Sequence, residues 1–329
     1  MSAAQAHPRA VIGGGSGYIG SAIGRALRAD GYDVRTIGRS EADAHWDDRA
    51  GVRSLVDGAA VVVGLAGRRI DCRYTDRNRE EILRSRLRTT RILHAAIAEA
   101  DAPPPLWING SSAGAYRYAL DGAQTEADPQ SDGGFLPDVT RAWEQELFAG
   151  DLPGTRRIAL RTTLVLGRRA PVMRLLLRLA RLGAGGAQYD GWWFPHGRYR
   201  GIGEHPTPAP EPDYVRSHGR QRFSWIHEDD YVQAVRFLRD HDEVSGPVNM
   251  ASPEAVPNIE LMRTLRRAVG MPIGLPAPRF VLEPGMAVLR AESQLVLKSN
   301  WVAPAVLADA GFTFRYPALD AAVREIVGR

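Results

Sequence analysis

Short apolar runs and amphipathic stretches alternate along the first half of the chain. Residues 10–12 form a compact apolar run, and 33–37 predict a second strand. Residues 59–65 are nearly continuously apolar, and 106–110 and 157–161 add two more strands. Unbroken apolar runs suit parallel strands, because helices cover both faces of such a sheet. Between the runs lie helical patterns. One spans 18–29, and a long one covers roughly 76–100, with Leu83, Leu87 and Thr90 marking its buried face. Pro103, Pro104 and Pro105 end that segment. This alternation predicts an α/β fold with a doubly wound parallel sheet.

After Gly167 the pattern changes. Residues 172–182 read as a helix packed through leucines with its arginines in water. An irregular stretch follows over about 183–221. It holds His196, His205, His218, Pro206, Pro208, Pro210 and the aromatics Tyr189, Trp192, Trp193, Phe194, Tyr199 and Tyr214. A loop of this length inside a compact domain is usually functional or disordered, and the aromatics argue against plain disorder. A lid, an oligomer contact and a passive insertion all remain open. The histidines lack metal-ligand spacing, so no metal site is predicted. Periodic order resumes with a helix at 228–238, a strand at 247–250 and a helix at 258–269 ended by Gly270. Helical patterns over 283–298, 303–310 and 319–327 complete a mainly helical C-terminal region.

Composition narrows the class. The chain is 44% hydrophobic and 24% charged, which fits an ordinary globular protein rather than a disordered one. No run of about 18 apolar residues predicts a membrane span. No basic start followed by an apolar stretch predicts a signal peptide. The single cysteine, Cys72, cannot form an internal disulfide, so a reducing cytoplasm is the expected compartment. Net charge is +4, which raises nucleic acid as a partner. The arginines are scattered over segments such as 77–91 and 174–181, without a basic block, and no nucleic-acid partner is expected. The chain has one lysine, Lys298.

The strongest chemical signal lies between the first strand and the first helix. Glycines fall at 14, 17 and 20. Gly14 permits a tight turn, Gly17 lets backbone approach a pyrophosphate, and Gly20 lets helix and strand pack closely. Tyr18 and Ile19 complete the helix start, whose free N–H groups and partial positive charge suit phosphates. The second strand ends in Gly38-Arg39-Ser40. An acidic residue there selects NAD. Arg39, aided by Ser40, suits the 2′-phosphate of NADP(H). Asp47 is placed to meet the adenine amino group, and Leu65-Ala66-Gly67 to line the nicotinamide ribose.

These features and several further segments resemble the extended short-chain dehydrogenase/reductase superfamily. Within it, the chain is similar to an atypical group of NAD-dependent epimerase/dehydratase-like proteins, sugar-nucleotide-epimerase-like, with a C-terminal domain of unknown function. The segments include Tyr74-Thr-Asp76, Ser85-Arg86, Ser111-Ser-Ala-Gly-Ala-Tyr116, Thr125-Glu126 and Trp143-Glu144. Leu160-Arg-Thr-Thr-Leu-Val-Leu-Gly167, Phe223 to Asp230, Gly246-Pro-Val-Asn-Met-Ala-Ser-Pro253 and Ala310 to Pro317 continue them, in order, nearly end to end. The resemblance implies an NADP-binding Rossmann domain over 1–167, completed by about 223–250. It implies a smaller substrate domain over 168–222 and 251–329. It also implies a homodimer formed through helices flanking the sheet.

One departure concerns the chemistry. The superfamily pairs a tyrosine with a lysine four residues on. This chain has Leu136 and Thr140 near those positions. The remaining candidates are Ser111 for orienting a substrate oxygen, with Ser112 as its stand-in. Tyr116 is the nearest phenol, its pKa lowered by an arginine such as Arg141 or Arg86. Glu126 is a further acid or base. His227 with Glu228, Asp229 and Asp230 reads as a capped helix start rather than a metal site. Two functions fit: an NADP-dependent oxidoreductase or epimerase acting on a small hydroxyl or carbonyl compound, and a catalytically silent NADP(H)-binding sensor.

Overall fold

Strand β1 (Arg9–Gly13) is buried at every position after the first, as a central parallel strand must be. A computed structural model describes residues 7–194, 196–208 and 216–328; Pro210 and Tyr214 of the irregular stretch lie outside them. After β1 come β2 (Asp33–Gly38), β3 (Ala44–His45), β4 (Val61–Gly64), β5 (Leu106–Ser112) and β6 (Arg156–Thr162). β7 (Leu164–Leu166), β8 (Arg222–Phe223) and β9 (Trp225–His227) stand outside the main sheet. β10 (Gly246–Met250) rejoins it, and β11 (Val256–Pro257) pairs with β8. The main sheet runs β10-β6-β5-β4-β1-β2-β3, all parallel. Strand order reverses at β1, and in such sheets a ligand crevice opens there, at the carboxyl ends.

Helices cover both faces. The helices of the first half are α1 (Tyr18–Ala29), α2 (Arg49–Val56), α3 (Asp76–Ala98) and α4 (Phe135–Phe148). Then follow α5 (Pro171–Arg181), α6 (Glu228–Asp240), α7 (Asn258–Val269), α8 (Arg279–Val288), α9 (Gln294–Leu297), α10 (Ala305–Asp309) and α11 (Leu319–Val327). Ala10 and Ile12 face Ile23 and Leu27 of α1 and Tyr231 and Leu238 of α6. Val11, pointing the other way, joins Val52 of α2, Leu93 and Ile97 of α3 and Leu147 of α4. Helices α5, α7 and α11 build a third core with Leu166 and Trp225.

Two expectations need correction. The buried face of α3 is Ile82, Thr90, Leu93 and Ile97; Leu83 and Leu87 sit half-buried at its edge. The pattern over 283–298 does not form one helix. α8 closes at Val288, Arg290 turns with φ of 53°, and α9 starts at Gln294. That break places Glu292 in the interior, where its carboxylate accepts from the Tyr74 backbone, Arg198 and the Tyr199 hydroxyl.

The same residues anchor the irregular stretch. Buried Arg79 of α3 donates to the carbonyls of Arg198, Arg200 and Gly201 at 2.6–2.8 Å. Tyr199 is fully buried against Tyr74. This part of the stretch is thus clamped to α3 and the C-terminal region.

Candidate functional site

The chain must turn between Gly13 and Tyr18, directly into α1. Gly14 has φ of +83°, and a Cβ there would stand 2.9 Å from the Ala66 nitrogen. A Cβ at Gly20 would overlap the Gly14 carbonyl oxygen. No side chain caps α1, whose cap residue is Gly17. Its first N–H groups therefore keep no intrahelical partner and form a cradle for an anion. Gly13 and Gly64 are register partners at the carboxyl ends of β1 and β4. The Leu65 N–H donates to the Gly13 carbonyl at 2.8 Å, and the Ala66 carbonyl accepts from Thr89. Leu65, Ala66 and exposed Gly67 so form the opposite lip of the crevice.

The side chains of Tyr18 and Ile19 pack into the protein, while their backbone N–H groups stand at the start of α1. The Tyr18 hydroxyl donates to Glu228 Oε2 at 2.6 Å and ties α1 to α6. Burial and that carboxylate push its pKa well above the ordinary phenol range. Ile19 packs on the core beneath α1. Arg39 and Ser40 lie exposed beyond the end of β2, and Arg39 has no ion pair among the described residues. The nearby acid, Asp43, is instead held by Arg35 and Thr36. Asp47 is exposed beside a groove of about 400 Å³ lined by Trp46, Val52, Ile92, Ala96 and Arg88.

A buried polar network lies under the loop that follows β5. Arg161 of β6 grips Glu144 of α4 through Nε and Nη2 at 2.9 and 2.8 Å. The Ser111 hydroxyl donates to the same carboxylate at 2.5 Å. The Tyr116 hydroxyl accepts from Arg161 Nη1 and donates to Asn249 Oδ1, both at 2.8 Å. Tyr116 is 0% exposed. Burial raises its pKa, against the pull of Arg161. Burial disfavours the Arg161 cation, but Glu144 outweighs it and holds the pKa above the ordinary range.

Sequence reasoning offered Arg141 or Arg86 as the arginine beside Tyr116. The structure places Arg161 there, and Arg141 pairs with Asp138. Arg161 and Asn249 were missed as site residues, although both lie in segments that carry the resemblance. Glu126 accepts from the backbone N–H groups of Asn249, Ala305 and Val306, fastening β10 to the start of α10. Ser112 is half-buried; its oxygen accepts from the Gly114 N–H at 3.0 Å. Where the superfamily's tyrosine and lysine stand, Leu136 packs against Gly114, and the Thr140 hydroxyl donates to the Leu136 carbonyl. The lone lysine arrives from the C-terminal region instead. Lys298 Nζ donates to the carbonyls of Gly114 and Tyr116. His227 caps α6 through Asp229 N–H, Glu228 holds Tyr18, and Asp230 accepts from the Arg315 and Tyr316 backbone.

Tyr116→Phe leaves an Arg161 N–H and the Asn249 oxygen without their partner. It is expected to cost about 1–2 kcal/mol of stability, read from urea denaturation. An unchanged midpoint would mean that water replaces the hydroxyl.

The parallel sheet, the glycine cradle and the bare strand ends at the reversal define a Rossmann-type protein of the short-chain dehydrogenase/reductase class. Residues 10–132 match the NAD dependent epimerase/dehydratase family, and 277–326 match a domain of unknown function, DUF1731. An epimerase family protein of Mycobacterium leprae is 31% identical, over 97% of this chain and 96% of its own length. The epimerase family protein SDR39U1 of Bos taurus is 30% identical, over 97% and 99%. The chain belongs to this epimerase family. The crystal structure of human SDR39U1 (isoform 2) with NADPH matches with a TM-score of 0.81 at 28% identity, covering 98% of this chain and 99% of that one. No helix among the described residues is long and apolar enough to cross a membrane.

Proposed function

We propose that this protein is an NADP(H)-dependent oxidoreductase or epimerase-like enzyme acting on a small hydroxyl- or carbonyl-bearing substrate. The observation that carries this reading is the glycine cradle combined with Arg39 at the end of β2, which has no ion pair among the described residues. The residues fit the cofactor: a Cβ at Gly14 or Gly20 would fill the turn, and the α1 N-terminus is left free for phosphate. The relative crystallised with NADPH supports the same choice. Residues 1–167 with 223–250 hold the cofactor in this reading, and the rest forms the substrate domain. Arg39 and Ser40 take the 2′-phosphate, Asp47 the adenine, and Leu65 to Gly67 the nicotinamide ribose. When bound, the nicotinamide supplies hydride transfer.

Ser112 is the hydroxyl that meets the substrate oxygen. It accepts from Gly114 N–H and keeps its own proton to donate. Ser111 is engaged by Glu144, and Tyr116 acts as a positioning residue within the network. The silent-sensor reading draws on the same fact, together with Leu136 and Thr140 at the acid-base positions.

Fluorescence titration with NADPH and NADH, followed by a carbonyl screen on the NADPH complex, separates these readings. NADPH-selective binding with turnover is the expected result. Binding without turnover would favour the sensor, and no binding of either nucleotide would end both. Ser112→Ala is expected to lower turnover about fivefold, the worth of one neutral hydrogen bond, with NADPH affinity unchanged.

A further inference from the structure

We propose that Arg86 and Tyr74 form an anion subsite that holds a carboxylate or phosphate group of the substrate. The proposal deepens the function above and rests on it for the word substrate, but not for the site.

Arg86 lies on α3 between Gly67, on the crevice lip, and Trp143 of α4. Its guanidinium stacks 5.0 Å from the Trp143 ring, and its Cγ would stand 3.3 Å from a Cβ at Gly67. Nη1 donates to the Arg68 and Ile82 carbonyls at 3.0 and 2.9 Å, which fixes the group without neutralising it. No carboxylate among the described residues lies within ion-pair distance. The other enclosed arginines are differently served. Arg161 has Glu144, Arg279 has Glu283, and Arg79 is satisfied by three carbonyls. Nη2 and Nε of Arg86 find no acceptor among the described residues. Arg86 is half-buried, and burial pulls its pKa down to about 10.

The second observation is independent. Tyr74 is 1% exposed, and its hydroxyl has no hydrogen-bond partner among the described residues. Buried hydroxyls are almost always satisfied, so an orphan marks a missing partner. Tyr74 packs in one buried cluster with Ile82, whose carbonyl holds Arg86 Nη1, so the two groups border one region. One uncompensated positive charge, a free guanidinium edge and an unpaired hydroxyl donor are complementary to an oxyanion. The guanidinium fork matches carboxylate and phosphate oxygens in particular.

The test titrates NADPH-saturated protein with oxalate and, separately, with inorganic phosphate, by calorimetry. Saturable binding of one probe is expected, and the preferred probe tells carboxylate from phosphate ester. Arg86→Gln should weaken that binding by at least about tenfold, as loss of a charge-assisted fork does. Tyr74→Phe should weaken it by about threefold, and both variants should keep wild-type NADPH affinity. Should Arg86→Gln not fold, Arg86→Lys keeps the charge, removes the fork and should still weaken the probe. Equal probe binding by wild type and the Arg86 variants would overturn the proposal, as would no saturable binding at all. Competition between probe and NADPH would also overturn it, by giving Arg86 to a cofactor phosphate. A protein that binds no NADPH fails the earlier reading alone; the same titrations without cofactor then decide this one.

Discussion

Replacing Arg161 with methionine is expected to cost about 3–5 kcal/mol of stability. Arg161 is 5% exposed and Glu144 7%, and two parallel hydrogen bonds join them. Without the guanidinium, Glu144 remains a buried carboxylate served, among the described residues, only by Ser111 and Gln130. An uncompensated buried charge is among the most destabilising changes a core can suffer. Tyr116 also loses its donor, which loosens the loop over β5. Urea denaturation should show a lower midpoint with an unchanged slope, since the surface exposed on unfolding is the same. Replacing both partners, Arg161→Met with Glu144→Leu, should recover most of the loss, because the penalty comes from the unpaired charge. A single variant as stable as wild type would mean that water reaches Glu144, and the network would lose its positioning role.

The cradle was legible in the sequence because its geometry is local. Gly14, Gly17 and Gly20 act on one turn, and their spacing encodes it. The polar network was legible only in part. Ser111, Tyr116 and Glu144 stood inside recognisable segments, but Arg161 and Asn249, which hold Glu144 and Tyr116, come from β6 and β10. Tyr116 meets Arg161 across 45 positions of sequence and Asn249 across 133. No periodicity reports such a meeting. This is why the sequence offers Tyr116 as a candidate acid, while the fold encloses it. Helix α4 was obscured for another reason. Phe135, Leu136, Pro137, Asp138, Val139 and Thr140 are all buried, so its first turns show no polar face. β3 spans only Ala44 and His45, too short to carry an alternation.

Arg39→Ala is expected to weaken NADPH by roughly 10–150-fold and NADH by less than about threefold. One guanidinium fork on a phosphate contributes about 1.5–3 kcal/mol, which converts to that range. The selectivity follows from position. Arg39 lies past the end of β2, where only the adenosine ribose substituent would come within reach. The exposed guanidinium has no carboxylate to release among the described residues, so binding need not break an existing ion pair. Its contribution should shrink as salt rises, since an exposed charge is screened over about 10 Å at 0.1 M ionic strength. Lys at this position should recover only part of the affinity, because an ammonium lacks the fork. Paired fluorescence titrations of wild type and variant, at low and high salt, make the measurement. An equal loss for both nucleotides would move the 2′-phosphate elsewhere. The basic candidates would then be Arg49 and Arg88, which flank the groove beside Asp47. In that case the cofactor would still sit on the glycine cradle, and its adenosine half would take a different path across α2.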